Sequence, residues 1–119
     1  MLSFPAVSCL FCDIAAGKIP AKVVYQDEAV MAFRDINPQA PTHVLVIPKR
    51  HITSLVDLTE ADDALVGRVV RTGRDIARQE GLAERGFRVL FNAGDDAGYS
   101  VYHIHLHLVG GRKLGWPPG

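Results

Sequence analysis

Charge of one sign is what this chain most plainly lacks. Thirteen Lys and Arg balance thirteen Asp and Glu, the formal net charge is zero, and basic residues never run longer than a pair such as Lys49-Arg50. Without a field of one sign nothing gathers a polyanion, so a long nucleic acid is excluded as the expected partner. A single nucleotide is not excluded, because backbone N–H groups and a few local donors hold one phosphate. Long apolar runs are absent too. No segment approaches the ~20 apolar residues of a membrane span, and no membrane partner is expected. Nor is a secretory leader. Met1 to Cys12 carries no charge and so no basic start, and Pro5 and Ser8 break its apolar run, although Ala6-Val7-Ser8 before Cys9 faintly resembles a lipoprotein cleavage site. The expected location is the cytoplasm.

What is present is 119 residues, 48% of them apolar, enough for one core and too few for a second. A domain this small buries only roughly two-thirds of the surface its unfolded chain exposes, so an oligomer interface would add useful stability. The reading is one domain over residues 1–119, with 1–8 an N-terminal segment and 113–119 a C-terminal tail.

Leu10 to Ala16 reads as a short helix stopped by Gly17, and Lys22 to Gln26 as a strand. Asp27-Glu28 turns into a second strand, Ala29 to Phe33, and Asp35-Ile36-Asn37-Pro38 follows as a turn. Thr42 to Pro48 is a third strand, with His43, Leu45 and Ile47 on one face and Val44 and Val46 on the other. Thr59 suits an N-cap, Glu60, Asp62 and Asp63 a first turn, and Gly81 a C-terminal stop. Between them Leu65, Val66, Val69, Val70, Ile76 and Ala77 form an apolar stripe, and Arg68, Arg71, Arg74 and Arg78 read as a solvated face. Phe87 to Asn92 is a fourth strand, Ala93 to Gly98 a glycine-rich loop, and Ser100 to Val109 a fifth strand. Hairpin-like connections, one long helix and one short helix predict an α+β fold on a five-stranded, largely antiparallel sheet.

The chemistry concentrates in His103-Ile104-His105-Leu106-His107-Leu108. Strand periodicity puts three imidazoles on one face and three aliphatic side chains on the other. A metal held by all three is disfavoured, because positions i and i+4 lie roughly 13 Å apart along a strand at ~3.3 Å per residue. The three are expected to divide their roles. A neutral imidazole is a competent nucleophile at pH 7, provided an acceptor holds the far ring nitrogen, and a phosphorus–nitrogen intermediate formed on it is open to water. No Mg²⁺ is then required.

Asp35-Ile36-Asn37-Pro38-Gln39-Ala40-Pro41-Thr42-His43, Ser100-Val101-Tyr102 before the triad, and the closing Gly115-Trp116-Pro117-Pro118-Gly119 closely resemble the histidine-triad (HIT) nucleotide-binding proteins, over a match from about Leu10 to the last residue. The resemblance implies the HIT-like fold, a two-fold homodimer with joined sheets, and hydrolysis of purine nucleoside phosphoramidates, aminoacyl adenylates and related nucleotides. It implies His105 as the nucleophile, with His107, Ser100, Asn92 and Gly98 around the phosphate and leaving group and His43 nearby. It also implies Asp35 on the ribose hydroxyls, Leu10, Phe11 and Ile36 at the base, and Trp116 near the partner's active site. One position departs from the family pattern: Tyr99 stands where relatives usually carry Gln, which puts leaving-group selection at that edge in question.

Cys9 and Cys12 are the two cysteines, in a CxxC pair that is either a redox centre or half of a metal site. The thioredoxin-like order wants a strand before the pair, and none precedes Cys9. Zinc needs four ligands, and His51 with His103 would supply the missing two. The resemblance supports that set, since some bacterial-type members and related nucleotidyl transferases hold a structural zinc through the first triad histidine. Metal-free thiols are the alternative. A nucleotide hydrolase competes with two other readings, a regulatory or adaptor protein that only binds nucleotide and a dinucleoside polyphosphate hydrolase. The set Asn92, Ser100, His105 and His107 favours chemistry over sensing.

Overall fold

The computed structural model describes residues 9–119. The expected N-terminal segment, 1–8, lies outside them. Helix α1 (Leu10–Ala15) is followed by strands β1 (Val23–Gln26), β2 (Val30–Arg34) and β3 (Thr42–Pro48), helix α2 (Asp63–Gln79), and strands β4 (Phe87–Phe91) and β5 (Leu106–Gly110). The sheet runs β1-β2-β3-β5-β4, with every neighbouring pair antiparallel. The α+β fold read from the sequence is the one observed.

β3 is central and buried at all seven positions, because both faces of the sheet are covered. Val44 and Val46 join Val30, Ala32, Leu106 and Leu108 under Val69, Ile76 and Ala77 of α2. Leu45 and Ile47 join Met31 and Phe33 against Phe11 and Ile14 of α1. Each Val, Leu, Ile, Met or Phe among them taken fully from water contributes roughly 1.5–3 kcal/mol before conformational entropy is charged against it. Helix α2 seats closely because Gly73 faces the sheet, where an added Cβ would stand 3.0 Å from Leu106 Cδ2.

Three local expectations are corrected. Thr59 caps a 3-10 turn, Glu60–Asp62, that leads into α2, with the Asp62 carboxylate accepting the Thr59 N–H at 2.9 Å. Val70 is exposed, because the inward stripe is Val69, Thr72, Gly73, Ile76 and Ala77 and Val70 lies one residue, about 100°, round the helix. Arg68 is half-buried and bridges Asp27 at 2.9 Å and Glu28 at 2.8 Å in the β1–β2 turn, whereas Arg71, Arg74 and Arg78 are solvated as expected.

The fourth correction matters most for the site. Strand β5 begins at Leu106 instead of Ser100, because its partners on both sides run out there: β3 pairs from Thr42↔Gly110 to Val46↔Leu106 and β4 from Phe87↔Gly110 to Phe91↔Leu106. Of the three triad histidines only His107 lies on a strand. The Ile104 N–H turns away to the Ile52 carbonyl at 2.8 Å, and the His103 N–H to the Val101 carbonyl at 2.9 Å. Among the described residues no helix is long and apolar enough to cross a membrane.

Candidate active site and metal cluster

The irregular backbone before β5 sends the three imidazoles to different neighbours. His103 turns toward α1. Its Nδ1 lies 3.4 Å from Cys9 Sγ, 3.4 Å from Cys12 Sγ and 3.3 Å from His51 Nδ1, and Cys12 Sγ is 3.3 Å from His51 Nδ1. All four donor atoms lie within 4.8 Å of one another. Bonds of ~2.0 Å to nitrogen and ~2.3 Å to sulfur in a tetrahedral ion separate the ligand atoms by about 3.3–3.8 Å, so this set fits one. The tautomer fits as well. His103 Nε2–H donates to the Pro48 carbonyl at 2.7 Å, which leaves Nδ1 with its lone pair toward the thiols. Burial, and then Cys9 beside it, push the Cys12 thiol up to about 11, so a cation entering here must displace its proton.

His105 has the opposite arrangement. Its Nδ1–H donates to the His103 carbonyl at 2.8 Å, and the ring nitrogen left unprotonated is Nε2. Burial holds its pKa below the ordinary imidazole value, so the ring is neutral at pH 7. Phe11 meets it edge-on, with centroids 5.0 Å apart and planes at 89°. Tyr99 lies on its face at 5.6 Å and 20°.

His107 completes a chain whose direction is fixed by a backbone donor. The Gln39 N–H donates to His43 Nδ1 at 3.0 Å, so the His43 hydrogen sits on Nε2. That atom lies 2.9 Å from His107 Nδ1, which therefore accepts, and the hydrogen of His107 resides on Nε2. Burial, and then the neighbours His105 and His43, lower the His107 pKa to about 4. The Asp35 carboxylate is 3.4 Å from His43 Nε2 and also accepts the Asn37 N–H at 2.8 Å. Asp35, His43 and His107 offer a second close group of possible metal ligands. Both nitrogens of His43 are already committed, so this trio reads as a hydrogen-bonded relay.

The remaining sequence candidates fall around these rings. Asn92 follows directly on β4, one position beyond Phe91↔Leu106, the last pair of that ladder. Gly98, at φ +74, closes the 3-10 turn Asp95–Ala97, a conformation open to glycine, and the loop then delivers Ser100 to the surface. A cavity of about 590 Å³ opens at Asp35, Ile36 and His43 between walls of Pro20, Pro38 and Pro41. Ile36 is exposed at its margin and Phe11 is buried, whereas the exposed Leu10 lines a separate cavity with Ser100, Val101 and Tyr102. Trp116 is 84% exposed on a tail that touches the sheet where the Arg88 guanidinium donates to the Gly115 carbonyl at 2.8 Å. In this single chain Trp116 is therefore not brought to the site.

Sequence reasoning missed the parts that hold the imidazoles. The Pro48 carbonyl and the Gln39 amide are backbone groups with no sequence signature. Phe33, whose ring packs 5.4 Å from Phe11, was legible through strand alternation, since it precedes Asp35 by two. Tyr99, expected at the leaving-group edge, is 6% exposed and donates its hydroxyl to the Thr53 carbonyl at 2.5 Å.

Comparison with known proteins agrees with this geometry. The profile of the HIT domain matches residues 16–114. A 14 kDa zinc-binding protein of Zea mays is 50% identical over 92% of this chain and 87% of its own. An adenylylsulfatase of Arabidopsis thaliana is 48% identical over 92% of this chain and 76% of its own. The crystal structure of a HIT family hydrolase from Legionella pneumophila superposes with a TM-score of 0.93 at 52% identity, covering 94% of this chain and all of that one. A chain with this profile match, these relatives and three histidines spaced by two on the approach to β5 belongs to the histidine-triad, or HIT domain, family.

Proposed function

We propose that this protein is a purine nucleotide hydrolase that cleaves a P–N or related bond at the α-phosphorus of an adenosine or guanosine monophosphate derivative, through a covalent nucleotidyl intermediate on His105. The observation that carries the reading is the hydrogen bond from His105 Nδ1 to the His103 carbonyl, which leaves Nε2 unprotonated in a neutral ring. In the first step Nε2 forms a bond to phosphorus as the bond to the leaving group breaks. The leaving nitrogen, hydrogen-bonded by the His107 Nε2–H that His43 orients, departs with a proton drawn from bulk water. In the second step water adds at phosphorus, the P–N bond to His105 breaks, the nucleoside monophosphate departs, and the water's proton returns to bulk. Asn92, Gly98 and Ser100 are assigned to the phosphate and leaving group, Asp35 to the ribose hydroxyls, and Leu10, Phe11 and Ile36 to the base. The Arabidopsis relative's name adds a sulfate leaving group on the same phosphorus as a substrate to test.

Cys9, Cys12, His51 and His103 would hold Zn²⁺, as the donor set and the name of the Zea relative suggest. Its chemistry when bound is structural, tying the start of α1 to the backbone before β5. Two free thiols suit a reducing compartment, and the location assigned is the cytoplasm. The assembly assigned is a homodimer joined through β4, an edge strand that exposes Phe87 and Val89, with Trp116 of the tail reaching the partner's site.

Turnover of a fluorogenic adenosine phosphoramidate by the purified protein, with His105→Ala as the control, tests the reading. Loss of turnover with retained monophosphate binding supports it. Tight monophosphate binding with no turnover by the unsubstituted protein favours the regulatory reading, and turnover confined to dinucleoside polyphosphates favours the third.

A further inference from the structure

Tyr99 takes no part in the steps above, yet it is built into the wall behind the nucleophile. We propose that Tyr99 is a positioning residue for His105, fixing the plane of the imidazole through its own ring and anchoring that ring through its hydroxyl. The proposal rests on the reading of His105 as the nucleophile.

The hydrogen bond from His105 Nδ1 to the His103 carbonyl fixes one direction in the imidazole, but a ring held at one atom still rocks about that bond. Two further rings remove the freedom. Phe11 abuts the imidazole at 89°, and Tyr99 covers one face at 20° and 5.6 Å, inside the roughly 4.5–7 Å over which such rings attract. A covering ring is useful only if it is itself held. Tyr99 is edge-on to Tyr102 at 5.4 Å and 84°, and its hydroxyl donates to the Thr53 carbonyl at 2.5 Å. The segment that accepts this bond already fixes the triad backbone and its first histidine. The Ile52 carbonyl takes the Ile104 N–H at 2.8 Å, and the Pro48 carbonyl takes His103 Nε2–H at 2.7 Å. Residues 48–53 thus brace residues 99–105 at three points, and the Tyr99 bond is the point that carries the brace to the face of the His105 ring. Burial of Tyr99 at 6% exposure argues against contact with a leaving group. In-line attack needs Nε2 aimed at phosphorus, and a displacement of about 1 Å in such an arrangement costs on the order of 10²-fold in rate.

The test compares Tyr99→Leu and Tyr99→Phe with the unsubstituted protein on an adenosine phosphoramidate, measuring kcat, KM, thermal stability and the NMR signals of the His105 ring carbon-bound hydrogens. Tyr99→Leu is expected to lower kcat by roughly 10- to 100-fold with KM changed by no more than about twofold, and to shift the His105 ring signals as the stacked ring is lost. Tyr99→Phe keeps the ring but loses the bond to the Thr53 carbonyl, and is expected to fall between the two, recovering part of kcat with ring signals nearer the native ones. Should Tyr99→Leu fail to fold, Tyr99→Met fills a similar space without a ring and carries the same expectation. Unchanged kcat in the ringless variant, or a loss that Tyr99→Phe does not rescue and that follows thermal stability in both, overturns the proposal. His105→Ala run in parallel separates the two claims. Turnover surviving there overturns the nucleophile, while turnover lost there but unmoved by Tyr99→Leu overturns the positioning role alone.

Discussion

His43 Nε2 and His107 Nδ1 lie 2.9 Å apart, and the backbone amide of Gln39 dictates which of them donates. With His43 Nδ1 occupied as an acceptor, the hydrogen on Nε2 points to His107, and His107 presents its own Nε2–H to the site. His43→Ala removes this relay. The expected result is a kcat lowered by roughly 10- to 100-fold with KM little changed, less than the roughly 10²–10⁴-fold of losing a positioned acid–base group itself, because His107 remains. His43→Gln, whose amide can donate, should recover part of the loss. Equal kcat in His43→Ala and the unsubstituted protein would contradict the relay.

The histidine burial sets a pH dependence of stability whose sign follows from the shift. An unfolded His107 titrates near ~6.5, whereas in the fold its pKa is lowered to about 4. Above pH ~6.5 neither state binds the proton, and stability is full. As the pH falls toward 4 the unfolded chain takes up a proton the native chain refuses, so stability drops by ~1.4 kcal/mol per unit. His107 accounts for a loss on the order of 3 kcal/mol by pH 4, and burial of His105 acts in the same direction. Urea unfolding at pH 7.5, 6.0 and 4.5 measures it, and a flat profile would contradict the neutral buried rings.

Much of this layout was legible in the sequence, and the failures have local causes. β3 coincides with the span its sequence predicts, because apolar residues run through both of its faces, whereas β5 starts six residues later than its sequence predicts. The alternation of histidine with Ile104 and Leu106 continues past the point where β3 and β4 cease to pair, and alternation reports side-chain type while pairing depends on strands remote in sequence. The same holds at the site. The candidate side chains were nameable in advance, but the groups that set their tautomers are the carbonyls of Pro48 and His103 and the amide of Gln39, which no residue type announces.

For the Cys/His cluster, protein purified without chelator from a zinc-replete culture should release about one equivalent of zinc per chain on denaturation. Because the Cys12 thiol titrates at about 11 before a cation enters, apparent zinc affinity should rise with pH between 6 and 8. Cys12→Ser should lower the thermal midpoint more than it lowers kcat. A zinc-free preparation, or affinity independent of pH, would count against the site.

At the C-terminus, deleting residues 113–119 removes Trp116 but leaves the exposed edge of β4. The expected outcome is a preserved dimer in sedimentation with altered kcat/KM and leaving-group preference. Because Tyr99 lies behind His105, the deletion and Tyr99→Phe should add within about 0.5 kcal/mol. A monomeric full-length protein, or unchanged kinetics on deletion, would refute this use of the tail.

A covalent nucleotide on His105 Nε2 can be trapped. Excess enzyme mixed with an adenosine phosphoramidate, quenched in alkali to preserve a phosphorus–nitrogen bond and digested, should yield adenylate on the peptide bearing His105 and none from His105→Ala. A trapped adenylate on another residue, or turnover by His105→Ala at the rate of the unsubstituted protein, would contradict His105 as the nucleophile.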